Sequence, residues 1–394
     1  MERINNKNFE HVVIFGSDAF GSYLLKNQTK GGSDLSLIKK DLPNFYFLLK
    51  EAAFTLSQRS VIPIMSAVNW TSLLCGMSPN FHGFTEWNSY PPEIKPLSQT
   101  FQDGKLKSIF TLVKESEKTA KTAVFFRWPQ FAKILKLDEI DHVVNFLAHG
   151  DEKKWGTTEK TTFLDENDNF KINERVVDEA CKYLKEKKPF LTFIYVNEPD
   201  TTGHEIGHQT SFIYQKTQTI DKWVGRVLQT IKSVSEMQGK TLFVFCADHG
   251  GRGVGDDCHG NFNDDEINVP LFFYGSGVKK GIITEKTIQY DLPKTIAWLL
   301  GLKIPLWWNG KVIKSPFVAL REEKKILGND IPKRRIVIKQ RKLNLFVVFD
   351  EKNWLWKTLG LVNALKRAKH YAKEQNVKTI SLKYLNGVVE KIKV

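Results

Sequence analysis

Cysteine is scarce in this chain. Four residues in 394 (Cys75, Cys181, Cys246 and Cys258) form no CxxC pair and show no regular spacing. That argues against a disulfide framework and leaves reduced thiols as the simpler expectation. Long apolar runs are missing too: no window approaches the ~18 apolar residues of a membrane span. The first 25 residues hold no basic-then-apolar leader, because a strand-like run from Val12 to Phe15 begins almost at once. As written, the chain is expected to be soluble and cytoplasmic, without an export signal. Internal repeats and low-complexity linkers are also lacking. Apolar content of 41% with 12% aromatics is ample for a large core and argues against disorder.

Charge is not evenly supplied. The net +14 lies mostly in residues 321–394, which carry 19 Lys+Arg against 7 Asp+Glu, so residues 1–320 hold only +2. A basic tail on a nearly neutral body can meet a polyanion or an anionic surface, or be a solvated add-on.

Short apolar runs alternate with helical patterns, the rhythm of an α/β fold with a mainly parallel central sheet flanked by helices on both faces. The expected strands are HVVIFG (11–16), KTAVFF (121–126), FLTFIYV (190–196), TLFVFCA (241–247) and VPLFFYG (269–275). Helices are expected over 174–186, over 211–235, where Ile220, Trp223, Val224, Val227, Leu228 and Ile231 recur at spacings of three and four, and over 290–302, with Pro293 in the first turn. The main domain is expected over 8–320, with polar, turn-rich insertions at about 85–118 and 150–173. A small basic α+β appendage is expected over 325–394, with an amphipathic helix at about 353–375 and a hairpin turning at Asn386-Gly387.

Ligands of open α/β sheets collect at the carboxyl ends of strands. In FGSDAFG, Asp18 follows the first strand. In NEPDTTGHEIGH, Asp200 and His204 follow FLTFIYV. In ADHGG, Asp248 and His249 follow TLFVFCA, and DDCHGN supplies His259 in the next loop. One Asp after a strand is ordinarily a helix N-cap and one His-Gly an ordinary turn. Recurrence at one sheet edge sets this group apart. Carboxylate and imidazole donors suit Zn²⁺ and related ions, and six of them divide naturally between two metals. His11, His82, His142, His149, His208 and His370 have no such placement and are read as structural.

Ser66, in IPIMSAVNWTSLLCG, is the matching nucleophile. A serine hydroxyl is a poor nucleophile near neutral pH, and coordination to a divalent cation lowers its pKa. If a helix starts at Ser66 and runs through 68–75, its N–H groups favour anions, and Asn69 can present its amide to a phosphoryl oxygen.

These residues resemble the alkaline phosphatase superfamily, more narrowly its type I phosphodiesterase/nucleotide pyrophosphatase branch. The resemblance rests on five ordered blocks: FGSDAFG, SAVNWTSLLCGMSPNFHGFTEW, NEPDTTGHEIGH, ADHGGRGVGDDCHG with INVPLFFYGSGVKKG, and YDLPKTIAWLLGLKIPLWWNG. They span about residues 10–310. The resemblance implies one metal held by Asp18, Asp248 and His249 beside Ser66, a second held by Asp200, His204 and His259, zinc in both places, and a phosphoseryl or phosphodiester-linked intermediate. Many members of the branch are exported, at odds with the missing leader. Many also carry Thr-Phe-Pro-Asn at the nucleophile, where Ser66, Ala67, Val68 and Asn69 stand here, which leaves nucleotide specificity open.

The expected activity is therefore binuclear metal-dependent hydrolysis of phosphate diesters or pyrophosphates, on a small phosphate-ester or nucleotide-like substrate. Phe84, Trp87 and Tyr90 are candidates for the apolar wall a diester requires. A phosphomonoesterase is the alternative. A sulfatase is disfavoured because Val68 and Trp70 stand where a C/S-x-P-x-R pattern has Pro and Arg. A non-hydrolytic anion-binding protein is the remaining reading.

Overall fold

The apolar runs form strands in the computed structural model of the chain. It describes residues 9–26, 36–89, 101–102, 105–165, 168–255, 258–317 and, towards the C-terminus, 336–342, 345–350, 353–359, 369, 379–383 and 389–393. Two compact units result, Met1–Val318 and Ala319–Val394.

In chain order the strands of the first unit are β1 (His11–Ser17), β2 (Ala53–Arg59), β3 (Phe101–Gln102), β4 (Lys105–Leu106), β5 (Thr122–Phe126), β6 (His142–Ala148), β7 (Thr161–Leu164), β8 (Leu191–Val196), β9 (Thr241–Ala247), β10 (Asn268–Tyr274) and β11 (Gly281–Ile282). The β3–β4 pair stands alone. The others form one sheet in the order β11-β2-β10-β9-β1-β8-β5-β6-β7. Within it only β10 runs against its neighbours. The fold is thus α/β with a mainly parallel central sheet.

Strand β1 is buried on both faces, which explains its unbroken apolar run. Val12 and Ile14 join one core with the helices Ser66–Cys75, Ile109–Ser116 and Asp291–Leu299. Val13 and Phe15 join the other with the helices Pro43–Glu51, Asn169–Lys187 and Ser211–Ser233. Helices therefore cover both faces. No helix among the described residues is long and apolar enough to cross a membrane.

The spans expected as insertions contain more order than their polarity suggested. Helix Ile109–Ser116 lies inside 85–118 and buries Ile109, Phe110, Leu112 and Val113, while 90–100 and 103–104 lie outside the described residues. The 150–173 span supplies edge strand β7 and the start of helix Asn169–Lys187, whose N-cap Asp168 accepts from the Phe170 N–H. An edge strand has one neighbour and needs few apolar residues, so TTFL gives little signal.

In the second unit the strands are β12 (Ile336–Lys342), β13 (Leu345–Asp350), β14 (Asn353–Leu359), β15 (Thr379–Lys383) and β16 (Val389–Lys393), in the order β14-β13-β12-β15-β16. Here the helix expected at about 353–375 must be corrected. Asn353–Leu359 is a strand antiparallel to β13, because its Trp, Leu and Thr side chains suit pairing with the apolar LFVVFD. The rest of that span, Lys369 apart, lies outside the described residues. β15 and β16 pair antiparallel as a hairpin requires, and the turn at Asn386-Gly387 lies outside the described residues.

Candidate active site

Register brings the strand ends together. Ser17, the last residue of β1, pairs with both Val196 of β8 and Ala247 of β9. Asp18 and Asp248 therefore leave the sheet side by side, and Asn197 starts the turn to Asp200 on the same edge.

Each carboxylate in the first group is fixed at one oxygen. Asp18 Oδ2 accepts from the Tyr195 hydroxyl at 2.6 Å and the Trp70 indole N–H at 3.2 Å. Its Oδ1 accepts no hydrogen bond. Asp248 Oδ1 accepts from the Ala19 N–H at 3.0 Å, and its Oδ2 accepts none. The Ala19 N–H reaches Asp248 from a left-handed backbone (φ 54°), a conformation disfavoured for alanine and characteristic of functional sites. Gly16 makes room for the indole: a Cβ there would stand 2.5 Å from Trp70. His249 Nε2 lies 3.2 Å from the free Oδ2 of Asp248 and 3.7 Å from Oδ1 of Asp18.

The second group sits on less regular backbone. Asp200 and His204 are one turn apart on the helix Asp200–Ile206, with His204 Nε2 3.5 Å from Asp200 Oδ2. His259 Nε2 lies 3.7 Å from Asp200 Oδ1. Ligand atoms of Asp200, His249 and His259 also fall within 4.8 Å of one another, so the two groups form one continuous cluster.

The three imidazoles share one arrangement. His204 Nδ1 faces Gly255 O at 2.9 Å, His249 Nδ1 faces Gly250 O at 2.9 Å, and His259 Nδ1 faces Ile64 O at 3.2 Å. A carbonyl only accepts, so each neutral ring carries its proton on Nδ1 and turns the Nε2 lone pair to the cluster. Burial alone opposes this collection of groups. It raises Asp18 and, with the Asp18 charge added, lifts Asp248 far above the ordinary carboxylate range. It pushes His249 down to about 3 and His259 to about 4. Two carboxylate oxygens without hydrogen bonds and three inward lone pairs fit divalent cations, whose charge reverses these penalties.

Ser66 opens the helix Ser66–Cys75 as its first residue, with Oγ 3.1 Å from His249 Nε2. The first-turn N–H groups of that helix have no intrahelical acceptor. All six expected ligands and Ser66 thus come together. Asn69 does not take the expected place. It is fully buried; its Oδ1 accepts from the Val61 N–H at 2.8 Å, and its Nδ2 donates to the Pro63 and Met65 carbonyls at 3.1 and 3.0 Å. Its amide is spent on shaping the loop before Ser66 and has none left for a phosphoryl oxygen. Phe84 is also corrected: it is wholly buried in the core and cannot line an open wall. Trp87 is exposed, and Tyr90 lies outside the described residues.

Three residues escaped the sequence reading. Tyr195 and Trp70 look like strand and helix core yet hold Asp18. Cys258 Sγ lies 3.4 Å from His204 Nδ1 and within 4.8 Å of ligand atoms of His204 and His259; its position next to His259 in DDCHGN was the available signal. His208, read as structural, is buried, and a Cβ on Gly203 or Gly251 would strike its ring, so it packs between the helix that bears Asp200 and His204 and the loop that follows His249.

A family model for type I phosphodiesterase/nucleotide pyrophosphatase matches residues 12–270. The chain belongs to this family. Among curated relatives, venom phosphodiesterase 2 of Crotalus adamanteus is 24% identical over 343 residues, covering 79% of this chain and 39% of that protein. The chain thus spans about two fifths of the length of that relative. GPI ethanolamine phosphate transferase 1 of Aspergillus oryzae is 30% identical over 145 residues, 31% of this chain and 14% of that one. Among solved structures, human ectonucleotide pyrophosphatase/phosphodiesterase 5 gives a TM-score of 0.55 at 14% identity, covering 75% of this chain and 96% of that chain. The murine protein, an inactive variant in complex with AMP, gives 0.50 at 15% identity over 75% and 96%. A 2-O glycosaminoglycan sulfatase gives 0.58 at 16% identity over 93% and 90%. These likenesses to solved structures are likenesses of fold.

Proposed function

We propose that the chain is a phosphodiesterase or nucleotide pyrophosphatase that depends on two divalent ions, zinc by its donor set, with Ser66 as nucleophile. The observation that carries this reading is the Ser66 hydroxyl at a helix start, 3.1 Å from His249, inside six converging carboxylate and imidazole ligands. Asp18, Asp248 and His249 would hold one ion beside Ser66, and Asp200, His204 and His259 the other. Bound divalent ions lower the pKa of a coordinated hydroxyl and offset charge on phosphoryl oxygens.

The chain's own groups do the rest. Helix Ser66–Cys75 aims its unpaired N–H groups where an anionic phosphoryl oxygen would lie. Asn69 holds the preceding loop and so fixes the Ser66 backbone. The Oγ–P bond forms as the bond from phosphorus to the leaving oxygen breaks. Water then cleaves the Oγ–P bond and regenerates serine.

A diester is favoured over a monoester by the surface around these segments. Ile62, Ile206, Val254 and Phe262, on stretches flanking Ser66, His204 and His259, remain exposed. Arg127, a buried guanidinium at the end of β5, is committed to Asp151 and Asn169. An organic group on the far side of phosphorus would cover such apolar surface, and the AMP complex of the murine relative makes a nucleotide a fitting one. Purified protein should hydrolyse bis-p-nitrophenyl phosphate faster than p-nitrophenyl phosphate, and the sulfate slowest. Ser66→Ala should cut diester turnover about 10⁴-fold with metal content unchanged. A faster monoester rate would reverse the substrate order, and unchanged turnover would remove Ser66 as nucleophile.

A further inference from the structure

The sheet of the C-terminal unit separates its charges by face. Residues paired across strands share a face, and successive residues alternate. By the observed registers, one face takes Lys339 and Lys342 of β12, Lys357 of β14, Lys383 of β15, and Lys391 and Lys393 of β16. No carboxylate is paired on that face. The opposite face takes the paired acids, Asp350 and Glu390, together with Ile336, Ile338, Ile380 and Leu382, and none of its paired residues is Lys or Arg; Arg341, at a register shift, is unpaired. The segregation survives both register shifts, at 340/342 and 348/349.

The basic face is ordered in rows. One runs Lys357–Val347–Lys339–Lys383–Val389 across all five strands, and the next runs Trp354–Phe349–Val337–Ser381–Lys391. Strand spacing makes each row on the order of 20 Å long. Lys339 directly opposite Lys383 is a like-charge pair, which destabilises a sheet unless something offsets it. Lysine is among the residue types a fold buries least. Ammonium rows beside an aromatic pair are the composition that holds a nucleic acid strand, with cations along its phosphates and rings stacked on its bases.

We propose that this face binds single-stranded nucleic acid, through Lys339, Lys357, Lys383, Lys391 and Lys393 on phosphates and Phe349 and Trp354 on bases. The inference goes beyond the hydrolytic reading and does not depend on it. It is tested on the full chain by fluorescence anisotropy with a labelled 20-nucleotide single strand. The Ser66→Ala background is used, with the probe checked on a gel for intactness. Binding should weaken with salt along a log–log slope of roughly −3 to −4, the release expected for five to six phosphate contacts. Lys339→Gln with Lys383→Gln should weaken binding about tenfold and make the slope shallower by roughly 1.4. Trp354→Ala should also weaken binding about tenfold while leaving the slope unchanged. With Ser66 restored, the lysine double variant should hydrolyse small diesters at the unaltered rate, which reports an intact catalytic unit. Three results would each overturn the proposal: no binding at 50 mM salt, binding indifferent to the lysine pair, or tighter lysine-dependent binding to phosphatidylserine vesicles than to the oligonucleotide. The last would assign the face to a membrane.

Discussion

The two halves of the candidate centre are built on different backbone. Asp18, Asp248 and His249 follow directly on strands β1 and β9, with side chains 3%, 0% and 0% exposed. Asp200 and His204 ride a seven-residue helix and His259 a loop, with side chains 18%, 32% and 6% exposed. In the first half sheet register sets the ligand positions before any ion arrives. In the second, helix and loop contacts to Gly255 and Ile64 do so. A preorganised, water-excluded set forfeits less order on binding and screens charge less. The strand-borne half should therefore hold its ion more tightly, and the loop-borne half should exchange.

Removing one ligand from each half should separate the two most clearly. Asp248→Ala should lower diester turnover by about 10³-fold and resist rescue by added zinc, because it also strands the Ala19 N–H. His204→Ala should lower turnover by about 10- to 100-fold and recover in part as zinc rises, since solvent can fill its place. Metal content and turnover across a zinc titration check both. Equal losses with equal rescue would erase the distinction.

A smaller effect is expected from the residues behind the ligands. Tyr195→Phe removes the 2.6 Å hydrogen bond to Asp18 and should weaken metal affinity of the strand-borne half about 10- to 100-fold, leaving the other ion in place. Two-phase metal loss during chelation would display this, and a single unaltered phase would count against it.

The smallest concerns a histidine apart from the cluster. The Phe84 N–H donates to His82 Nδ1, so the proton sits on Nε2 and donates to Ser72 Oγ, whose hydroxyl donates to Met77 O. The ring is buried, satisfied as the neutral form, and pushed down to about 3. A base with a depressed folded pKa binds its proton in the unfolded chain first. Its contribution is whole above about 6.5 and is lost as pH falls towards 3, at about 1.4 kcal/mol per pH unit. In zinc-loaded protein His82→Gln should flatten the fall in stability between pH 6 and 4 by about that slope, measured by urea unfolding. His249 and His259, once bound to metal, should not contribute in the same window. An unchanged slope would mean His82 is not held neutral.

Much of this centre was legible in the sequence because position and chemistry coincided. Asp18 and Asp248 sit one residue past strands β1 and β9, where a parallel sheet collects ligands, and His249 and His204 lie within four residues of Asp248 and Asp200. Asn69 was misread because an amide three residues into a helix says nothing about which carbonyls the preceding loop will offer. Phe84 was misread because turn-rich sequence around it concealed that its own side chain enters the core. Tyr195 and Trp70 gave no signal: both satisfy strand and helix burial, and only the fold turns their polar tips towards Asp18. Strand β14 was lost to a helix because NWLWKTL has no clean alternation once a bulge interrupts it.

Six ligands and one hydroxyl are proposed to form a paired cation site. Anomalous X-ray scattering at the zinc edge, from crystals of the full chain grown with zinc, tests it most directly. Two peaks are expected, one among Asp18, Asp248 and His249 within reach of Ser66 Oγ, and one among Asp200, His204 and His259. A single peak outside both groups, or none, would contradict it.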